Sequence, residues 1–138
     1  MGSFSNAFET TLLNHIFGGT AYSQATTLYL GLATATITDT TTGATVTEPS
    51  TSGTAYARKA ITNAGGWTIS GNQATNAAEI AFATATGSWG TVTDWFIADN
   101  GTVGAGNILC YGTLTASKAI DSGDTAKAAA NAITITLD

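Results

Sequence analysis

The sequence predicts a mainly β protein, an antiparallel β-sandwich or barrel-like domain with one N-terminal amphipathic helix. Three observations predict it. Apolar residues recur at helical spacing only once, between residues 6 and 17. Beyond that segment the hydrophobic period drops to two. Short runs rich in Val, Ile, Thr and aromatics are then separated by Gly and Asn turn signals, the punctuation of antiparallel all-β folds. The length of 138 residues suits a single β-rich domain over 1–138.

The helix is expected over 6–17, with Phe8, Leu12, Leu13, Ile16 and Phe17 on one face. Asn6 can cap its start, Glu9 three residues on completes a capping-box pattern, and Gly18-Gly19 ends it. So short a helix is marginal alone in water, so its apolar face must dock on its own sheet or on a neighbouring subunit. Leu28, Leu30 and Leu32 alternate with Tyr29, Gly31 and Ala33 and read as a half-buried strand. Residues 34–53, rich in Thr, Gly and Ser and holding the only proline, Pro49, read as a long loop with a ragged hairpin near Gly43. A loop of that length in a compact domain is usually functional or docked.

Further strands are expected at Ala55 to Thr62, Trp67 to Ser70, Glu79 to Thr84, Thr91 to Ala98, Ile108 to Thr115 and Ile133 to Leu137. A bulge is expected near Asp94-Trp95, where alternation breaks, and a turn at Asn100-Gly101. The Ala-rich segment 124–132 follows the turn Asp121-Ser122-Gly123-Asp124 and runs into the last strand, which favours strand over helix.

Composition narrows the function. Only 9% of residues are charged, against about 25% in an average soluble domain. Catalysis, metal binding and phosphate binding all draw on titratable side chains, so a structural or binding module is expected, with no catalytic residue and no cofactor. The hydrophobic fraction is 43%, much of it Ala, which predicts a thin core with small residues at close contacts. The net charge is −5 and the basic residues are scattered as Arg58, Lys59, Lys118 and Lys127, so no nucleic acid is expected as partner. One Cys and one His are too few for a zinc site. No targeting segment and no run of about 18 apolar residues is found, and no membrane partner is expected. A surface so poor in charge suits a protein covered by copies of itself or of a neighbour.

The few chemically capable residues have plain readings. His15 reads as an exposed residue near the helix C-terminus, where its positive form is mildly favoured. Cys110, between Leu109 and Tyr111, reads as a buried, inert thiol. Asp94, Asp99, Asp121 and Asp124 read as turn residues and lack the ligand run of a calcium loop. Glu48 and Glu79 have no spacing that suggests a glycosidase pair. The run from Gly101 to Gly106 precedes a strand and lacks the Gly-Lys-Ser/Thr ending of a phosphate loop. Trp67, Trp89, Trp95 and Tyr56 either plug a thin core or an interface, or stack on sugars.

The order of segments also carries a resemblance. It runs from Phe4-Ser5-Asn6-Ala7-Phe8-Glu9 and Leu12-Leu13-Asn14-His15-Ile16-Phe17-Gly18-Gly19 to Thr27-Leu28-Tyr29-Leu30-Gly31-Leu32-Ala33. Glu48-Pro49-Ser50, Gly53 and Tyr56-Ala57-Arg58 follow, then Trp67, Asn76-Ala77-Ala78, Ile80-Ala81-Phe82 and Ala85-Thr86-Gly87-Ser88-Trp89-Gly90-Thr91-Val92-Thr93. The last pieces are Ser122-Gly123-Asp124 and Ile135-Thr136-Leu137-Asp138. Over nearly its whole length the chain resembles a family of small tailed-phage virion proteins, often labelled tail fibre proteins. In size, composition and all-β character it is similar to capsid decoration (cement) proteins.

The resemblance implies a non-enzymatic virion component, on the capsid surface or in the tail. The leading expectation is a homotrimer that clamps the major capsid protein and stabilises the head. The alternatives are a tail or tail-fibre component that contacts other tail proteins, and a carbohydrate- or receptor-binding module using Trp67 and Trp89. Interface residues are expected to be Phe8, Leu12, Ile16, Arg58, Trp67 and Trp89, together with the 34–53 loop. Arg58 is expected to hold a partner carboxylate.

Overall fold

The computed structural model describes residues 2–137. Their elements run β1 (Ser3–Phe4), α1 (Asn6–Ile16), β2 (Thr27–Ala33), β3 (Lys59–Thr62), β4 (Trp67–Ser70), β5 (Gln73–Asn76), β6 (Ile80–Ala81), β7 (Gly90–Ala98), β8 (Ile108–Ile120), β9 (Lys127–Ala128) and β10 (Thr134–Thr136). A five-stranded antiparallel sheet has the order β1-β8-β7-β2-β3. A three-stranded sheet, β10-β5-β4, and the pair β6-β9 make up the rest. The fold is mainly β and sandwich-like, with one N-terminal helix.

Most strands fall where alternation places them, and β4 matches its expected span. The departures have local causes. β3 begins only at Lys59, because Ala55 sits at φ 58° and breaks the extended run. β5 pairs with β4 through the Gly71-Asn72 turn; its polar sequence Gln-Ala-Thr-Asn offers no apolar alternation to read. β8 runs five residues past Thr115 and pairs its far end with the start of β7. Segments 79–84 and 124–132 keep only two-residue strands, β6 and β9. The irregularity expected near Asp94 lies between Val92 and Asp94.

The five-stranded sheet is packed on both faces, which corrects the half-buried reading of β2. A main cluster gathers Leu30, Leu32, Ile97 and Cys110 with Tyr56, Phe82 and Trp89. A second cluster joins Ala33, Phe96, Ala98 and Ile108 to Ile37 and Val46 of the 34–53 segment. The thin core expected from the Ala content is visible at Gly31. A Cβ there would lie 2.1 Å from Cζ of Phe96, so the sheet accepts the Phe96 ring only over a residue without a side chain.

Residues 34–53 carry no strand, and the expected hairpin is replaced by turns. The Thr-rich composition explains them. Thr41 Oγ1 accepts from the Thr38 N–H at 3.0 Å, and Thr45 Oγ1 accepts from the Thr42 N–H at 2.9 Å. These hydroxyls satisfy backbone donors that no ladder reaches. The segment lies on its own sheet rather than standing free for a partner. Ile37, Gly43 and Pro49 are buried, while Thr36, Thr38, Thr40, Thr45 and Thr47 face solvent.

Candidate assembly surface

α1 starts at Ser5, one residue before the expected cap. Ser5 is extended (φ −80°, ψ 152°), and its Oγ accepts from the Phe8 N–H at 3.3 Å. The Glu9 N–H bonds the Ser5 carbonyl at 2.9 Å as the first helical bond, so Glu9 does not close a capping box on Asn6. Ser5 also ties the helix to the sheet. It is fully buried, its N–H donates to Leu109 O at 3.0 Å and its hydroxyl donates to Ile108 O. The Asn6 N–H reaches Asp39 O at 3.0 Å. At the other end Gly19 enters the left-handed region (φ 70°) and turns the chain so that the Thr20 N–H reaches Asn14 O at 3.2 Å.

Between those ends the apolar face is only partly covered. Phe8 is half-buried, with its ring centroid 5.4 Å from Phe4 and 5.6 Å from Tyr22. Leu12 is half-buried as well. The last turn is bare: Leu13 is 58% exposed, Ile16 59% and Phe17 81%. His15 is exposed, and its Nδ1 accepts from the Tyr22 N–H at 3.1 Å.

Arg58 behaves differently from its expected role. Its side chain is shut off from solvent, and so is that of Glu48. Nε donates to Glu48 Oε1 at 3.1 Å and to Oε2 at 3.2 Å. Nη2 donates to Glu48 Oε2 at 2.7 Å and to Gly43 O at 3.0 Å. Nη1 donates to Asn100 O at 2.7 Å and Ala105 O at 2.8 Å. A guanidinium has five N–H donors, and all five are engaged within the chain. Arg58 therefore leaves nothing for a partner carboxylate; the carboxylate it holds is Glu48 of its own chain. The guanidinium carbon also sits over the Phe96 ring, 5.1 Å from its centroid, within cation–π distance.

Tyr56 completes the node. Its hydroxyl accepts from the Leu32 N–H at 3.0 Å and donates to Glu48 Oε1 at 2.8 Å. Burial, and after it the Glu48 charge, raise its pKa well above the ordinary phenol value, so it stays a donor. The 101–106 glycine run belongs to this node: with Asn100 just before it, it delivers the Ala105 carbonyl to a cation rather than amides to a phosphate. Gly43 lies so close beneath that run that a Cβ would come within 2.2 Å of Ala105 O.

Trp89 is 2% exposed, and its Nε1 donates to Thr54 O at 2.8 Å. It meets Tyr56 and Phe82 edge-on at 5.1 and 5.9 Å, geometry worth about 0.5–1.5 kcal/mol per pair beyond area burial. A ring so enclosed offers no face to a sugar or to a partner, which corrects both roles expected of it. Trp67 is half-buried against the main cluster, with Nε1 shielded from solvent and without a hydrogen-bond partner among the described residues. Burial pushes the Cys110 thiol up to about 12, so it is protonated at neutral pH, the inert form. Asp94 is buried and accepts from the hydroxyls of Thr93 (2.6 Å) and Thr113 (3.0 Å). Asp121 and Asp124 close a turn on each other's backbone.

The structure thus separates the six expected interface residues. Phe8, Leu12 and Ile16 share the helix, where exposure rises toward Phe17; Arg58 and Trp89 are internal; Trp67 braces the core. Glu48 is the residue that sequence reasoning missed. The available signal was Tyr56-Ala57-Arg58, whose i, i+2 spacing aims a phenol and a guanidinium to one side, where a carboxylate would complete them.

No curated protein matches the chain. A family model described as podophage GP4 fiber I protein gp80 matches residues 3–136. With nearly the whole sequence covered, the chain belongs to that family, a group of small tailed-phage virion structural proteins.

Proposed function

We propose that this chain is a non-enzymatic component of a phage fibre, built into the virion through the last turn of α1. One observation carries the reading: Leu13, Ile16 and Phe17 stand in solvent at the end of a helix whose N-cap, Ser5, is anchored to the sheet. Burying three such side chains in a neighbour is worth about 1.5–3 kcal/mol each. The neighbour is a second copy or another tail protein. The fibre reading takes its support from the family's description. The non-enzymatic reading takes its support from the buried titratable groups, which are engaged in holding the chain together, as at Glu48, Arg58 and Asp94.

Decoration of the head, by a homotrimer seated on the major capsid protein, is the second reading, favoured by the charge-poor surface. Labelling the protein on intact virions separates the two: signal on the tail supports the fibre, and signal spread over the head supports decoration. Phe17→Asp is expected to fold normally and to be lost from virions. Incorporation at the wild-type level would remove the helix from the assembly.

A further inference from the structure

We infer that Asn100 is a self-modification site: the Gly101 amide nitrogen closes on its side-chain carbonyl, ammonia leaves, and water opens the resulting succinimide to aspartate or isoaspartate. Asn100-Gly101 is the only Asn-Gly pair in the chain. The fold requires glycine there, because a Cβ at Gly101 would lie 2.5 Å from Cε1 of Tyr29. The missing side chain also leaves the Gly101 nitrogen unhindered for ring closure. Among the described residues the Gly101 N–H donates to nothing, so no hydrogen bond has to break first. Asn100 is exposed, so water reaches the ring that forms.

Two contacts prepare the reacting groups. A peptide nitrogen attacks only after losing its proton, and the negative charge then spreads onto the oxygen of the same peptide group, Asn100 O. That oxygen accepts from Arg58 Nη1 at 2.7 Å, a hydrogen bond from a cation. The electrophile is Cγ of Asn100, whose Oδ1 accepts from the Thr102 N–H at 2.8 Å. This donor meets the oxygen that turns negative when Cγ becomes tetrahedral. Donors aimed where charge develops lower the barrier. The same bond closes an Asx turn, which holds the side chain curled over the Gly101 peptide.

In the closure the N–Cγ bond forms and the bond from Cγ to the amide nitrogen breaks. That nitrogen leaves as ammonia, carrying the proton shed by Gly101. Water then adds to one of the two ring carbonyls, and the bond from that carbon to nitrogen breaks. Nothing is oxidised or reduced. Attack at the former side-chain carbonyl gives aspartate. Attack at the former main-chain carbonyl gives isoaspartate, turns the Asn100 oxygen held by Arg58 into a carboxylate and lengthens the loop backbone by one carbon. Either product adds a negative charge to a chain whose net charge is −5.

The test is peptide mapping by mass spectrometry of the full wild-type chain, aged native and in urea in the same mildly alkaline buffer. Conversion is read as the mass difference between an acid and an amide, and chromatography separates aspartate from isoaspartate. Asn100 is expected to convert ahead of every other asparagine, and about tenfold faster in the native chain than in urea, where Arg58 and Thr102 no longer hold it. A native chain that keeps Asn100 intact, or that converts it no faster than in urea, overturns the inference. Asn100→Gln serves as the control, because its longer side chain disfavours the ring. The mass gain assigned to residue 100 is expected to vanish in that variant, and its persistence at the same rate would place the reaction elsewhere and overturn the site.

Discussion

Residues 34–53 and α1 are built on opposite terms. The first has no regular backbone hydrogen bonding, yet it is held from beneath by a fully bonded guanidinium, by Glu48 and by the buried Ile37. The second has regular backbone bonding throughout and is held chiefly at its first turn, while its last turn lies in solvent. The difference teaches that regular secondary structure is no measure of integration into a fold. A loop becomes rigid when its buried polar atoms each find a partner. A helix stays peripheral when its apolar stripe finds none.

The sharpest way to break this contrast is Arg58→Ala. It leaves the Glu48 carboxylate buried without its cation and frees the carbonyls of Gly43, Asn100 and Ala105 together. The expected loss of stability is about 3–5 kcal/mol, read by urea or thermal unfolding. A loss under about 1 kcal/mol would mean that water reaches Glu48 readily and that the loop is not held by this node.

Tyr56→Phe is expected to have an intermediate effect. It keeps the ring against Trp89 and Phe82 but strips a partner from both the Leu32 N–H and Glu48, at a cost of about 1–3 kcal/mol. The smallest effect is expected at the other pole. Ile16→Ser with Phe17→Ser should move monomer stability by no more than about 0.5 kcal/mol per site, because neither side chain is buried. A substantial loss in the isolated chain would show that the last turn packs on its own body and would erase the contrast.

Much of the helix was legible in the sequence because its signals are local. The spacing of Phe8, Leu12 and Ile16 and the Gly18-Gly19 stop place it to within a residue at its C-terminal end. The cap was misplaced because Ser5 and Asn6 both accept hydrogen bonds at an N-terminus, and the choice went to Ser5, whose hydroxyl also reaches Ile108. For the exposed face the sequence left two docking options. The structure leaves the last turn outside the chain's own sheet.

The interior was less legible. Trp89 is aromatic between a serine and a glycine whether it lies in a core or on a rim, and only its neighbours Tyr56 and Phe82 decide. Arg58 has the same limitation: its strand-like surroundings place it near the loop but say nothing of which carboxylate it meets.

The sequence by itself determined the class: mainly β, one helix, scarce charge, a phage virion resemblance. The first three follow from composition and from periodicities of two and 3.6 residues, which are properties of neighbours along the chain, and the resemblance rests on the order of its segments. Only the tertiary structure decided where the few charges went. Arg58 draws its partners from 10 and 15 residues before it and from 42 and 47 residues after it. Meeting them requires the 34–53 and 99–107 segments to close over the sheet at once. That closure is favoured because a buried charge must be paired and fully bonded, a condition on three-dimensional neighbours that no local pattern encodes.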